Sequence, residues 1–493
     1  MTSLTEEETP ARVRVAGVEV SVSNVSPNTV TAAQRAWAAC PTKDRIAVLR
    51  RARYALADMS DAFAAAMPEE LARTPADTRV AEILPLLAAC KFLEQSAAGI
   101  LAVRRLGKSG LPFWLAGTDA EVRRVPFGTV LVIGPTNYPL FLPGVQTLQS
   151  LAAGNAVVWK PGRGGKRVAD LFAEALRRAG LPTELIEVTE DSVAAGIEAM
   201  QGCVDKVVFT GSAENGRAVL RAAAERLIPC VIEASGSDAV IALPSADRDR
   251  VVKALVFGMR LNGSATCMAP RRVLVVGGGA EDLVERLVKA LESVPAVTLG
   301  PAVWEQVMSL LADAESCGAT VIGELDGSEM RPIVVAHATT AMEITRADVF
   351  APLLSVIEVD DVMAAQEACP FGLTAAVFGD EREARALADK LEVGTVLIND
   401  VIVSTADARV PFGGRRLSGF GATRGAEGLL EMTAAKVVSV KRSKGTRQYE
   451  PTSAAHAELF DGVIAAAYGR GLAARWKGLQ KFVSAGRKLG SGK

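Results

Sequence analysis

Histidine is the scarcest catalytic residue type in this chain: two in 493 residues, His337 and His456. A serine or cysteine hydrolase of the triad kind needs an imidazole beside its nucleophile. Only His337 could serve, and its stretch, IVVAHAT, reads as a strand end. Cysteine is sparse too, with seven scattered residues and no Cys-x-x-Cys pair. That argues against a disulfide framework or a zinc site and points to a reducing compartment, so a cytoplasmic setting is expected. Aromatic residues make up 5 %, which speaks against a large aromatic cage around a substrate. Neither sign of charge dominates, with 55 basic against 56 acidic residues, so no global bias toward nucleic acid is present. No apolar run is expected to reach the roughly 18 residues of a membrane span, because Gly, Pro or charge cuts the longest ones. The opening MTSLTEEETP is polar and acidic, unlike a secretory leader.

What is present is length and alternation. A chain of 493 residues exceeds the size at which one hydrophobic core stops growing, about 250–300 residues. The first hundred residues are helical in pattern: Ile46, Leu49, Ala52 and Leu56 recur at helical spacing, and Arg79–Val103 continues in the same style. Ala120–Val125 alternates and suits an edge or exchanged strand. From Gly128 short apolar strands alternate with helices: Val130–Ile133, a helix from Pro139, Ala156–Trp159, Lys166–Arg178, Lys206–Phe209, Ala213–Arg226 and Cys230–Ile232. A second run of this kind covers Ala239–Asn399, with strands near Arg272–Val276, Ala319–Ile322, Leu353–Val359, Thr374–Phe378 and Thr395–Ile398. This rhythm predicts an α/β protein with two doubly wound parallel sheets.

Chemistry gathers at strand ends, where helix N-termini present free N–H groups to anions. Cys267 stands in FGMRLNGSATCMAPRR, after turn-forming Asn262-Gly263-Ser264 and before an apolar strand. It is placed to react, although many free cysteines only fill cores. Asn137 is bracketed by Pro135 and Pro139, which restrict its loop; its amide can serve an oxyanion hole or simply cap a turn. Glu233 ends an apolar strand beside small residues and is a candidate general base, or a solvated strand-end carboxylate. Thr210-Gly211-Ser212 with Gly216 offers glycine where a phosphate could approach, or where the backbone merely needs freedom. Lys160 at a strand tip could meet phosphate or ribose, or solvent.

Taken together these residues resemble the aldehyde dehydrogenase superfamily, from about residue 25 to 442. The resemblance rests on Pro135-x-Asn137-x-Pro139, Lys160-Pro161, Phe209-Thr210-Gly211-Ser212 with Gly216, and Glu233 followed 34 residues later by Cys267. Asn262, Ala269, Arg272, Phe350 and Pro352 continue it, and Pro411-Phe412-Gly413-Gly414 with Ser418-Gly419 and Gly421 closes it. It implies a cofactor domain (1–110 and 127–235), a catalytic domain (236–429) and a small β element used in oligomerisation (111–126 and 430–442). NAD or NADP would be the cofactor, held by Thr136, Lys160, Arg163, Gly211, Ser212, Gly216, Asp348 and Phe350. Cys267 would attack an aldehyde, Asn137 and the Cys267 N–H would hold the oxyanion, and Glu233 would activate water to hydrolyse the thioester. No metal is implied. A homodimer or homotetramer is expected.

Departures from the family pattern mark a divergent branch. Arg163 stands where the family usually has a glutamate for the adenosine ribose, which leans toward NADP because a guanidinium attracts a 2′-phosphate. Ser264-Ala265 replaces Gly-Gln before the nucleophile, Ala234-Ser235-Gly236-Ser237 replaces Leu-Gly-Gly-Lys after Glu233, Asp348 is shorter than the usual glutamate, and Ala351 replaces a glycine. Residues 443–493 lie beyond the resemblance. There Leu472, Trp476, Leu479 and Val483 share one helical face, with Arg475, Lys477, Lys481, Arg487 and Lys488 around it. Such a basic amphipathic helix can meet a partner protein or a membrane surface, or pack back on its own chain. Two other functions stay open: an acylating relative that passes the thioester to coenzyme A, which retention of Glu233 disfavours, and a scaffold whose site has drifted.

Overall fold

The computed structural model describes residues 13–15, 18–20, 27–446, 449 and 451–490; the polar opening Met1–Pro10 lies outside them. It divides into two compact units, Met1–Arg104 with Val122–Lys436, and Arg105–Glu121 with Val437–Lys493.

The first unit holds two large sheets. One has six strands in the order Gly419–Phe420, Cys230–Ala234, Lys206–Gly211, Thr129–Ile133, Ala156–Lys160 and Ile186–Val188, all parallel except the first. The other has seven, in the order Thr320–Ile322, Ile333–Ala336, Leu353–Val359, Pro270–Val276, Asp238–Ala242, Thr374–Phe378 and Thr395–Ile398. Only Thr320–Ile322 is antiparallel there. Parallel strands need crossovers, and the helices that supply them cover both faces, so the strands read as continuous apolar runs. Every residue of Thr129–Ile133 and of Asp238–Ala242 is buried. The helix Lys166–Arg178 has the bounds its pattern predicts. Asp238–Ala242, which the sequence pattern did not single out, is a central strand. Its run is five residues long and opens on an aspartate after Ser-Gly-Ser, which hides it.

Two expectations need correction. Ala120–Val125 is not at an edge: its strand, Thr118–Pro126, lies in the middle of a three-stranded sheet between Thr433–Lys441 and Arg104–Arg105. The helical run Pro75–Ile100 is long and apolar enough, by length and composition, to cross a membrane. Lys91 and Glu94 are the sole charges between Ile83 and Ile100. Ile83, Leu86, Ala89, Cys90, Leu93 and Ala97 are nonetheless buried in the protein's own core, with Leu140, Val145 and Leu148.

The second unit contains a hairpin of two helices, Ala454–Tyr468 and Leu472–Gly490. Its short segment Arg105–Glu121 is tied to the later part of the chain by an ion pair between Asp119 and Arg442 and by Trp114 set edge-on to Tyr468.

Asp238 is buried at the start of its central strand, where its carboxyl meets the Thr374 hydroxyl at 2.6 Å and accepts from the Thr374 N–H at 3.1 Å. Burial pushes this carboxyl up to about 7 from 3.8. A group that holds its proton more tightly when folded stabilises the fold below its unfolded value and loses that contribution as pH rises through its folded value. The Asp238 contribution to stability is therefore expected to fall between pH 4 and 7. Asp238→Asn, which imitates the protonated carboxyl, should flatten that part of a urea-denaturation stability profile.

Candidate active site

The six-stranded sheet places its site by topology. From Thr129–Ile133 the chain winds outward through Ala156–Lys160 to Ile186–Val188, then returns to the other flank of Thr129–Ile133 as Lys206–Gly211. Strand order reverses there, and ligands of open α/β sheets bind in the crevice at the carboxyl ends beside such a point. The loop Gly134–Leu140 and the turn Gly211-Ser212 flank this crevice, with Lys160 on the neighbouring strand. A Cβ on Gly162 would sit 2.3 Å from the Pro135 carbonyl oxygen, so the loop after Lys160 lies directly against the loop of Asn137. Thr136 and Arg163 are exposed here, and Lys160 is half-buried. Burial lowers the Lys160 ammonium, against the opposing pull of Asp191.

Ser212 caps the helix Ala213–Ala224 by accepting from the Asn215 N–H at 3.3 Å. This helix therefore aims the positive end of its dipole at the crevice. Gly216 also has a packing role. A Cβ there would meet Ile232 Cγ2 at 3.2 Å, so this glycine lets the helix pack on the sheet. Gly211 has the ring of Phe209 against it, 2.7 Å from where a Cβ would be.

Cys267 follows a tight turn. Asn262, Gly263 and Ser264 all have positive φ, 54°, 58° and 65°, and such backbone costs about 1–3 kcal/mol at each non-glycine residue. Two arginines hold it. Arg73 donates from Nε to Asn262 Oδ1 (2.7 Å), from Nη1 to Glu82 Oε1 (2.5 Å) and from Nη2 to the Asn137 carbonyl (2.6 Å). Arg271 donates to Ser264 Oγ at 2.8 Å and to the Ser264 carbonyl at 2.5 Å. Asn262 donates to the carbonyls of Asn137 (3.2 Å) and Ala265 (2.8 Å). The Asn137 amide donates to the Ala265 carbonyl at 2.9 Å, and the hydroxyls of Tyr138 and Thr266 are 2.9 Å apart. The asparagine loop and the cysteine loop are thus one hydrogen-bonded body. An amide carries two N–H groups, so the bond to Ala265 leaves Asn137 a second donor.

Glu233 is buried in its strand, 1 % exposed. Oε2 accepts from the Thr423 hydroxyl at 3.1 Å, and Oε1 has no partner among the described residues. Burial raises its carboxyl above the usual range, opposed by Arg424 and by the Thr423 bond. The half-buried Cys267 thiol is raised well above the ordinary value, chiefly by desolvation, then by the charges of Glu233 and Asp238, with Arg424 opposing and Asp348 adding to the rise. Burial and the neighbouring carboxylates thus favour the protonated form of the thiol. Asp348 lies within the same electrostatic neighbourhood; the Ser235 hydroxyl donates to its Oδ2, while Oδ1 has no partner among the described residues. Phe350 is half-buried two residues on.

Cys267, Glu233, Asn137 and Asp348 are therefore brought into one neighbourhood, while Thr136, Lys160, Arg163, Gly211 and Ser212 line the sheet crevice. His337 pairs with Thr320 at 3.3 Å, and His456 caps the helix that starts at Ala454. Sequence reasoning missed Arg73, Thr423 and Arg424. Arg424 is 4 % exposed, has φ 62°, and donates to the Thr405 carbonyl. Its guanidinium lies over the rings of Phe412 (4.5 Å) and Phe141 (5.6 Å). An arginine wedged between Thr423 and Gly425, after a run of glycines, was the available signal.

A doubly wound crevice beside a thiol, an amide and a buried carboxylate is the architecture of an α/β enzyme. The family model described as "Aldehyde dehydrogenase family" matches residues 7–438, and the chain belongs to the aldehyde dehydrogenase family. It is 30 % identical over 450 residues to the 4,4'-diapolycopene aldehyde oxidase of Methylomonas sp, covering 88 % of this chain and 84 % of that one. Among solved structures, an E. coli NADP dependent enzyme matches at 25 % identity and TM-score 0.77, covering 84 % of this chain and 88 % of that one. A Mycobacterium tuberculosis aldehyde dehydrogenase complexed with NAD+ matches at 26 % and 0.77, covering 84 % and 90 %.

Arg424 is the cation that opposes the rise of both Glu233 and Cys267. Arg424→Gln should move the pH profile of Cys267 alkylation by iodoacetamide upward and slow alkylation near neutrality roughly severalfold. Arg424→Lys should retain most of the wild-type profile. An unchanged profile in the glutamine variant would contradict this electrostatic role.

Proposed function

We propose that this chain oxidises an aldehyde to a carboxylate with NAD or NADP, through a covalent intermediate on Cys267. The observation that carries the proposal is the buried Glu233 carboxylate, one oxygen without a partner among the described residues, within electrostatic reach of a cysteine on a turn. The crevice residues suit a dinucleotide: a helix N-terminus for pyrophosphate, Lys160 at the adjoining strand tip, and Asp348, whose Oδ1 has no partner among the described residues, for ribose hydroxyls. When bound, the nicotinamide cofactor supplies the hydride acceptor that converts the thiohemiacetal to a thioester.

The chain's own groups do the rest. Cys267 Sγ, as the thiolate, adds to the carbonyl carbon of the aldehyde. The second N–H of Asn137 and the Cys267 backbone N–H stabilise the oxyanion; one such donor contributes about 2.7–4 kcal/mol to lowering the barrier. Glu233 takes a proton from water, the water oxygen adds to the thioester carbon, and the C–S bond breaks to return the thiolate and release the acid. Both steps need ionised groups whose protons are held tightly, so turnover should rise from acid to alkaline pH.

Within this reading, residues 1–110 and 127–235 bind the cofactor and 236–429 form the catalytic part. The β element at 111–126 and 430–442 serves assembly into a homodimer or homotetramer, as exposed Val437 and Val440 on an outer strand suggest, in the cytoplasm.

Glu233→Gln is expected to leave a rapid burst of about one reduced cofactor per subunit and to slow steady turnover by about 10²–10⁴, while Cys267→Ser abolishes both. A Glu233→Gln enzyme with full turnover would refute the base assignment; acceleration of the wild type by coenzyme A would indicate the acylating reaction instead. Arg163→Glu should lower kcat/KM with NADP and raise it with NAD, roughly tenfold in their ratio. A strong NAD preference in the wild type that Arg163→Glu leaves unchanged would remove Arg163 from cofactor selection. A panel of short, aromatic and long apolar aldehydes with both cofactors defines the substrate.

A further inference from the structure

The carboxyl-terminal hairpin buries one face of its second helix and leaves the other bare. Inside, Gly462 takes the backbone of Phe482 against it, Gly478 approaches Ala465 and Ala466, and Ala485 is 1 % exposed. Lys481 pairs with Asp461 at 2.8 Å and Lys488 with Glu458 at 2.9 Å. Those contacts fix which way the helix Leu472–Gly490 faces. Leu472, Trp476, Leu479 and Val483, spaced by four, three and four residues, form an exposed stripe along its outer flank, where Ala466 of the first helix borders the same groove as Leu472, Trp476 and Leu479. The stripe residues are 86, 62, 44 and 44 % exposed.

Charge on the hairpin is sorted by helix. Leu472–Gly490 carries Arg475, Lys477, Lys481, Arg487 and Lys488 and no acid, whereas Ala454–Tyr468 carries Glu458 and Asp461 and no base besides His456. Residues 451–493 hold seven basic side chains against two acidic ones, in a chain whose net charge is −1. Positive charge is thus concentrated on the segment with the bare apolar stripe. Arg475 lines the shallow groove beside Leu472, Trp476 and Leu479, and Arg487 and Lys488 line the one beside Trp476, Leu479 and Val483.

We propose that Leu472–Gly490 docks on an anionic lipid bilayer surface. Tryptophan and aliphatic side chains enter the headgroup boundary, the long basic side chains extend back to lipid phosphates, and the surface potential of the bilayer attracts the segment. A second copy of the same helix is the weaker fit, because face-to-face contact would bring two all-basic helices together. The inference is independent of the reaction assigned above.

The test is flotation of the full chain with vesicles of phosphatidylcholine alone, and of phosphatidylcholine with phosphatidylglycerol in roughly equal parts, at low and high salt. Binding to the anionic vesicles is expected to exceed binding to the neutral ones by about tenfold and to weaken with salt. Trp476→Glu and Leu479→Glu should each reduce it about tenfold, and Lys477→Gln by a few-fold, with an unchanged far-ultraviolet circular dichroism spectrum and thermal melt as the check on folding. Equal or absent binding to both vesicle types overturns the proposal. So does a change of oligomer mass in the stripe variants with vesicle binding unaltered, which would assign the stripe to contact between copies.

Discussion

One buried guanidinium ties the site together. Arg73, inside an ion pair whose side chains are 3 % and 0 % exposed, reaches residues 64 and 189 positions further along the chain. Its partner Glu82 accepts from the N–H groups of Leu140 and Phe141 at 3.2 and 2.6 Å, and so caps the helix that follows the Asn137 loop. Removing one member of a buried pair leaves a stranded charge, which is far more damaging than the pair itself is stabilising. The helical N-terminal region is thereby coupled directly to the geometry of the cysteine turn. The site is a product of three distant segments rather than of any one loop.

Desolvation governs the rest of the chemistry. The same burial that surrounds Glu233 and half-covers Cys267 favours the protonated form of both, and positive charge opposes it. Arg424 supplies part of that charge from within the chain, and a bound nicotinamide carries more. A thiol whose ionisation burial opposes is less open to adventitious oxidation, since the thiolate is the reactive form.

The fold was legible because parallel strands buried on both faces leave apolar runs that helical segments punctuate. Cys267, Asn137 and Glu233 were legible because each sits at a turn or strand end, where the local pattern breaks and a reactive side chain is conspicuous. Arg73, Thr423 and Arg424 were not, because their meaning lies in contacts across the fold. An arginine beside a glycine run looks like a solvated residue until Phe141 and Phe412 are found against it. Gly216 was legible only in part: the turn chemistry around it suggested a phosphate, while its packing against Ile232 is a contact across the fold. Pro75–Ile100 shows a similar limit, since an apolar helix destined for a protein core and one destined for lipid share a composition.

Glu233 has strand neighbours on both sides, parallel with Thr210 and antiparallel with Gly419. Its main chain is therefore laced from left and right, unlike a carboxylate carried on a loop. Any reorientation of its carboxylate is confined to rotation about the glutamate's own side-chain bonds, a small pivot in an otherwise fixed wall.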